Sequence, residues 1–255
     1  MEVHIATVST DKTIGLDNFL YSLTQNGYQN IHVVGQGQKY INPGWKILKY
    51  WELLKEINAP NRLFCLVDSN DLFFIRSPEA LIKAYQECCS DVVISAERNS
   101  TVKGSETFFS SIESPFRYPN SGMICGTRDA LITILEKCIN TDNDQTELTS
   151  KIMSGEVNIS LDTKARIAAT IPFATQELQF DDFTLWEFTS KGLRSKIFQT
   201  EPVIVHFPGK VPIHYNSFLE KLYPDRPKRT WNESLNRVKQ FQSDIVLAFS
   251  WILPF

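Results

Sequence analysis

The sequence has few cysteines, and no spacing connects them. Five cysteines occur in 255 residues; the number is odd, two are adjacent, and no CxxC pair is present. A disulfide framework or a zinc ribbon would need such a pattern, so both are disfavoured. We expect free, structural thiols in a reducing compartment. The five are Cys65, Cys88, Cys89, Cys125 and Cys138.

Long apolar runs and an excess of positive charge are also missing. The longest apolar stretch, 245–255, is broken by Ser250 and falls short of the ~20 residues that span a membrane. The N-terminus lacks the basic and apolar regions of a signal peptide, so we expect a soluble, cytoplasmic protein. Lys and Arg number 26 and Asp and Glu 29, a net charge of −3, which excludes a strongly basic nucleic-acid-binding surface.

What is present is an alternation of apolar strand patterns with amphipathic helix patterns. Alternation of this kind predicts an α/β fold with a mostly parallel central sheet covered by helices on both faces. No linker divides the chain, so we expect one domain over 1–255, with 231–255 as a C-terminal helical extension. The predicted strands are 3–8, 31–34, 63–67, 92–95 and 123–125, and the predicted helices are 16–23, 45–57, 78–89, one after Thr127, and 144–153.

Two carboxylates follow the third strand, Asp68 directly and Asp71 three residues later. Ligands of α/β proteins bind beyond the carboxyl ends of the strands, and carboxylate oxygens suit Mg²⁺ or Mn²⁺. The pair is therefore a candidate cation site. The alternative is a turn in which Asp and Asn side chains bond to the local backbone.

A second acidic cluster contains Asp142 and Asp144. Asp144 and Glu147 have the spacing of a capping box for the helix through 153, whereas Asp142 has no evident structural role. These carboxylates are either structural or available to a substrate.

A third feature is a β-branched strand that ends in His206, followed by Gly209 and Lys210. Neutral imidazole binds first-row metals, glycine permits close approach to a phosphate, and lysine supplies a compact positive charge. With the carboxylates, this layout indicates a nucleotide-sugar transferase in which a metal stabilises the leaving diphosphate. A packed histidine, or a metal-dependent phosphohydrolase, is the alternative.

The ordered set of motifs resembles the glycosyltransferase domain of the procollagen lysyl hydroxylases, which also occurs as a freestanding domain in giant viruses. The likeness extends from about residue 3 to 215 and rests on several segments in the same order. They are 65–85, Ser95-Ala96-Glu97, Tyr118-Pro119-Asn120-Ser121-Gly122, Asp142-Asn143-Asp144-Gln145 and Val205-His206.

The resemblance implies a GT-A fold that uses a UDP-sugar and Mn²⁺ to transfer glucose, or galactose in some members, to glycosylated hydroxylysine of collagen. It assigns roles residue by residue. The metal ligands become Asp68, Asp71 and His206; the diphosphate neighbours Lys46, Gly209 and Lys210; the sugar-positioning or catalytic residues Asp142, Asp144 and Asn120; and the uridine neighbours Thr7 and Val8.

Several positions depart from the family pattern. Asn70 stands where relatives often carry Tyr, and the segment after Glu97 lacks the Trp-rich stretch. The 255 residues match only the transferase part of the relatives, so we expect no hydroxylation and no dependence on 2-oxoglutarate. A glycan-binding module without turnover is therefore the alternative function. Lys46 also has a structural alternative, a solvated helix face shared with Lys49 and Glu52.

The apolar positions of the C-terminal extension recur at helical spacing. This pattern predicts docking on the core, or alternatively a homodimer or partner surface, or an interfacial membrane contact through Trp251 and Phe255. The apolar positions are Leu235, Val238, Phe241, Ile245 and Phe249.

Overall fold

The computed structural model of the chain describes residues 1–59, 62–171, 185–190, 192–208 and 212–226. The strands in these ranges are β1 (Val3–Val8), β2 (Asn30–Val34), β3 (Leu63–Val67), β4 (Leu72–Phe74), β5 (Val92–Glu97), β6 (Tyr118–Thr127), β7 (Ser160–Leu161), β8 (Ala168–Thr170), β9 (Trp186–Thr189), β10 (Gly192–Ser195) and β11 (Ile204–His206). The helices are α1 (Ile14–Gln25), α2 (Trp45–Glu56), α3 (Pro78–Gln86), α4 (Ser105–Phe108), α5 (Arg128–Leu135), α6 (Asp144–Met153) and α7 (Pro212–Leu222).

Six strands form the central sheet in the order β2-β1-β3-β6-β5-β7. Strand β6 is antiparallel to both of its neighbours, and the other five strands share one direction. The predicted α/β class with a mostly parallel sheet is confirmed. The predicted strands 3–8 and 63–67 have the observed bounds, because short β-branched or wholly apolar runs fit a strand buried on both faces.

Helices cover both faces of this sheet. On one face α1 and α3 pack against alternate strand residues such as Ile5 and Cys65. On the other face α2, α5 and α6 pack against the intervening residues, such as Phe64 and Leu66. Side chains of a strand point alternately to its two faces, so the fully apolar strand β3 serves both cores.

The helix starts follow local capping, with two corrections. Thr13 caps α1 by accepting a hydrogen bond from the Leu16 amide at 3.0 Å, so the helix begins before the predicted residue 16. Ser77 and Thr127 occupy N-cap positions as predicted, but neither side chain makes a capping hydrogen bond.

A second sheet, in the order β4-β11-β8, lies after the loop that carries the acidic pair. Strand β11 is antiparallel to β4 and places His206 opposite Leu72, the residue after Asp71. The Phe207 amide donates to the Asp71 carbonyl at 2.8 Å and fixes this register. Strand pairing thus brings the end of β11 beside the acidic loop.

All five thiols are free, as expected, and Cys65, Cys125 and Cys138 are buried. No helix among the described residues is long and apolar enough to cross a membrane. Gly209, Lys210 and the predicted helix of 231–255 lie outside the described residues.

Candidate active site

The acidic loop and the end of β11 form one cluster of possible metal ligands. Asp68 follows β3, Asp71 precedes β4, and His206 ends β11. One ligand atom from each of the three lies within 4.8 Å of the others. The fold thus brings together the three side chains that the resemblance assigns as metal ligands. Oxygen and imidazole ligands at this spacing suit a divalent first-row cation.

The imidazole ring of the histidine in this cluster is buried, and its nitrogens make no hydrogen bond to the described residues. His206 is 1% exposed, and neither ring nitrogen has a hydrogen-bond partner in the part of the chain that the structure describes. The Nε2 atom is 3.6 Å from Asp71 Oδ1, longer than a hydrogen bond, and that oxygen also lacks a partner. A buried polar atom without a partner costs about 1–3 kcal/mol, so these atoms fit a site that a cation completes.

The charges around the imidazole favour its protonated form when no cation is bound. Burial acts to lower the pKa of His206, but the carboxylates of Asp71, Asp68 and Glu97 outweigh it and raise the pKa above its usual value. A divalent cation at the same place would take over the proton's electrostatic role, since it too is attracted by these carboxylates.

Lys46 turns from α2 into the site. Its Nζ lies 2.7 Å from Asp68 Oδ1 and 2.6 Å from Asp144 Oδ2. Burial acts to lower the pKa of Lys46, but the two carboxylates raise it well above its usual value. The solvated-face alternative is wrong for Lys46, because its ammonium pairs with two carboxylates of the site, whereas Lys49 pairs with Glu52 of the same helix at 2.7 Å.

The two acidic residues at the start of α6, Asp142 and Asp144, have different partners. The predicted capping box of Asp144 and Glu147 is wrong. The N-cap of α6 is Asn143, whose side chain accepts from the Thr146 amide at 2.9 Å. Asp144 is therefore the first helical residue. It is 5% exposed, and although burial acts to raise its pKa, the Lys46 ion pair lowers it below the usual value.

Asp142 has a structural role that the sequence did not suggest. Its exposed carboxylate accepts from Asn42 Nδ2 at 2.7 Å, and its carbonyl accepts from the Gly44 amide at 3.1 Å. A Cβ on Gly44 would lie 1.9 Å from the Thr141 carbonyl oxygen, so only glycine allows this approach. Asp142 thus joins the loop before α6 to the start of α2.

A carboxylate and two side-chain amides bond to one another beside the metal cluster. Two of these residues, Glu97 and Gln145, received no role from the sequence. Glu97 ends β5, and its Oε1 accepts from Asn120 Nδ2 at 2.8 Å and from Gln145 Nε2 at 3.0 Å. Burial raises the pKa of Glu97, and the two amide hydrogen bonds partly offset this. The available signal was a carboxylate at the carboxyl end of an otherwise apolar strand.

Thr7 and Val8 end β1, beside the strand that leads to Asp68. Thr7 is fully buried, and its Oγ1 has no hydrogen-bond partner among the described residues. Their predicted contact with uridine stays a prediction.

Asn70 has a packing role in this fold. It accepts a hydrogen bond from Thr13 Oγ1 at 2.6 Å, and a Cβ on Gly15 would lie 2.7 Å from its Cα. The start of α1 therefore approaches the acidic loop so closely that Gly15 must lack a side chain. This contact fixes the backbone between Asp68 and Asp71.

Comparison with known proteins identifies the family of this chain. The family model of the PLOD GT domain matches residues 1–231. The chain belongs to this family. It is similar to procollagen-lysine,2-oxoglutarate 5-dioxygenase 1 of Mus musculus, at 26% identity over 229 residues, 83% of this chain and 31% of that protein. It is similarly 26% identical to the multifunctional procollagen lysine hydroxylase and glycosyltransferase LH3 of Rattus norvegicus, over 83% of this chain and 30% of that protein.

As a PLOD GT domain, the chain spans about a third of the length of these relatives. Its fold is also that of solved glycosyltransferases. One is involved in glycosylation of the major capsid of PBCV-1 (TM-score 0.50, 10% identity, 87% of this chain and 100% of that one). Another is the bifunctional WbbM (TM-score 0.52, 9% identity, 92% and 51%). The expected GT-A fold is confirmed, and the chain is a glycosyltransferase domain.

Proposed function

We propose that this domain transfers a hexose, glucose or galactose, from a UDP-sugar to a hydroxyl group with the help of a divalent cation. The observation that carries the proposal is the convergence of Asp68, Asp71 and His206, whose ligand atoms lie within 4.8 Å of one another. The family and the fold support sugar transfer, and the buried, unpaired imidazole nitrogens support a cation.

The ligand set favours Mn²⁺ over Mg²⁺, because Mg²⁺ takes oxygen ligands, whereas a first-row transition metal also accepts an imidazole nitrogen beside carboxylates. When bound, the cation would neutralise charge that develops on the leaving diphosphate. Gly209 and Lys210, which follow His206, and Lys46 are proposed to approach the same diphosphate. Thr7 and Val8 are proposed to contact the nucleoside.

The charge of the site implies an order of binding. Lys46 pairs with Asp68 and Asp144, and Asp71 lies beside His206. The three carboxylates and the ammonium sum to 1 − 3 = −2, or to 2 − 3 = −1 when the imidazole is protonated. A diphosphate is repelled by such a site until a dication offsets the negative charge. UDP is therefore expected to bind after the cation.

The sugar is proposed to lie against the polar group beyond the cation. Asn120 is held by Glu97, and Asp144 by Lys46, so both side chains are oriented before a substrate arrives. Pre-oriented amides and carboxylates suit hydrogen bonding to sugar hydroxyls. Asp142, which is exposed, is proposed to help at the rim. The proposed acceptor is a hydroxyl of a glycan or glycosylated protein, with galactosyl-hydroxylysine of a collagen-like protein as the first choice.

The test is Mn²⁺-dependent release of UDP from UDP-glucose and UDP-galactose, with and without a galactosyl-hydroxylysine peptide. Asp68→Ala and Asp71→Ala should each lose at least 10-fold in Mn²⁺ affinity and most of the activity, while the folded fraction stays unchanged. Asp129→Ala is the matched control, because that carboxylate is exposed and, within the described part of the chain, pairs with Arg128 at the start of α5. It should behave as the wild type.

The outcomes separate the alternatives. Calorimetry that detects Mn²⁺-dependent UDP binding, without UDP release for any acceptor, would favour a glycan-binding module without turnover. Release of inorganic phosphate instead of UDP would indicate a phosphohydrolase. Wild-type Mn²⁺ affinity in both Asp variants would refute the cation site.

A further inference from the structure

The regular pairing of β6 with β5 is interrupted next to the site. Ile94 pairs with Ile124, but the next residue, Ser95, pairs with Asn120. Three residues of β6 therefore lie between consecutive pairs, and we refer to residues 121–123 as the β6 bulge. Bulges re-aim the backbone and often lie beside active sites.

The backbone of the β6 bulge contacts several side chains of the site. The Gly122 carbonyl accepts from the Asp68 amide at 3.1 Å, and the Ser121 carbonyl accepts from Lys46 Nζ at 3.3 Å. The Ser121 amide donates to Gln145 Oε1 at 3.3 Å. One short segment thus connects β3, α2 and α6.

Gly122 lies directly against the His206 ring. A Cβ built on Gly122 would be 2.1 Å from His206 Cε1, 2.7 Å from Nδ1 and 2.8 Å from Nε2. Gly122 is not among the glycines with positive φ, so its backbone conformation is open to any residue. The three atoms nearest to such a Cβ all belong to the imidazole, so the His206 ring requires glycine at this position.

We infer that Gly122 is a positioning residue of the cation site: its bare Cα seats the His206 imidazole, and its carbonyl fixes the start of the Asp68 loop. The inference rests on the proposed function, which supplies the cation. The His206 ring nitrogens have no hydrogen-bond partner among the described residues, and the nearest carboxylate oxygen, Asp71 Oδ1, is 3.6 Å from Nε2, so packing against Gly122 is a main constraint on the direction of the ring.

A double-mutant cycle without metal tests the contact. Gly122→Ala should lower the urea midpoint of the wild type, since the new methyl group displaces the imidazole. In the His206→Ala background, where the ring is gone, the same substitution should shift the midpoint by less than half as much. An equal shift in both backgrounds would overturn the inference.

Gly126→Ala is the matched control. A Cβ there would also be too close to its neighbour, 2.6 Å from the Asp91 carbonyl oxygen, but it lies away from His206. Its effect on the midpoint should be the same in both backgrounds. Should Gly122→Ala alone fail to fold, the double variant Gly122→Ala/His206→Ala should still fold, and its failure would equally overturn the inference.

Manganese binding, followed by the electron paramagnetic resonance signal of free Mn²⁺, supplies a readout that a purely structural role would not change. Gly122→Ala should bind Mn²⁺ at least 10-fold more weakly than the wild type at a temperature where both are folded. Unchanged affinity would contradict the positioning role. If the wild type itself binds no Mn²⁺, the proposed function fails, and the metal-free cycle still decides the Gly122–His206 contact.

Discussion

Two lysines one helical turn apart show how their partners assign different roles to the same residue type. Lys46 bridges Asp68 and Asp144, which come from other elements, whereas Lys49 pairs with Glu52 of its own helix. Both have the spacing of a solvated face, and their side chains are similarly exposed, at 14% and 16%.

Lys46→Met should lower the free energy of unfolding by about 3 kcal/mol, because it leaves two neighbouring carboxylates unpaired in a largely buried place. Lys49→Met, the matched control on the same helix, should cost about 1 kcal/mol or less, as expected for a partly exposed ion pair. Urea denaturation of both variants, without metal, measures the difference. Equal losses would show that the Lys46 pairs contribute no more than a surface ion pair.

Asp68 and Asp71 could be found from the sequence because both follow a strand in a short loop. Glu97 received no role, since a single carboxylate after an apolar strand has no local pattern that separates it from a surface residue. Its importance appears only when Asn120 and Gln145 arrive from β6 and α6 to bond it.

At the scale of elements, α6 brings the Asp144 carboxylate to the site, and the way the helix begins determines which residue does so. With Asn143 as the N-cap, Asp144 takes the first helical position and points to Lys46. The predicted capping box placed the N-cap at Asp144, one residue after the observed N-cap. Glu147 Oε1 lies instead 3.9 Å from Lys151 Nζ.

Asn143→Ala should therefore destabilise the protein by about 1 kcal/mol, the usual cost of losing an N-cap side chain. Glu147→Gln should have little effect, because Glu147 has no capping role. Thermal and urea unfolding of both variants are the measurements. A larger loss in Glu147→Gln than in Asn143→Ala would restore the capping box.

Strand β6 is the element whose extent sequence reasoning underestimated. The prediction covered 123–125, and the observed strand begins at Tyr118. Strand β3 pairs with Met123 and later residues of β6, so on that side the missing amide hydrogen of Pro119 is not needed.

At the scale of the whole molecule, two sheets meet where the site forms. The central sheet contributes Asp68 and Glu97 at the ends of β3 and β5, and the second sheet contributes His206. A cation at this junction would join the two sheets.

The pH dependence of the free energy of unfolding should reflect a pair of histidines, His4 and His32. His4 lies near the start of β1, at the end of that strand away from the candidate site. His4 Nδ1 and His32 Nε2 are 3.0 Å apart across the β1–β2 pair, and burial lowers the pKa of both residues. Below about pH 6.5 the unfolded chain therefore binds protons that the folded chain does not. Stability is expected to fall as the pH drops through this range.

The double variant His4→Gln/His32→Gln isolates this effect, because other titrating groups, including His206, are shared with the wild type. Urea midpoints at pH 7.5 and 5.5 should differ less in the variant than in the wild type. The same pH sensitivity in both proteins would show that the pair does not contribute.

The sequence by itself determined five of the six strands of the central sheet with the helices between them, the α/β class and the position of the acidic pair. These features depend on hydrophobic periodicity and on residues adjacent in the chain, which a local pattern can encode. Only the tertiary structure decided that Lys46 bridges Asp68 and Asp144, that Glu97 joins the site and that Gly122 seats His206. Those facts arise from contacts between elements distant in sequence, where strand register and steric fit, rather than local pattern, determine which side chains meet.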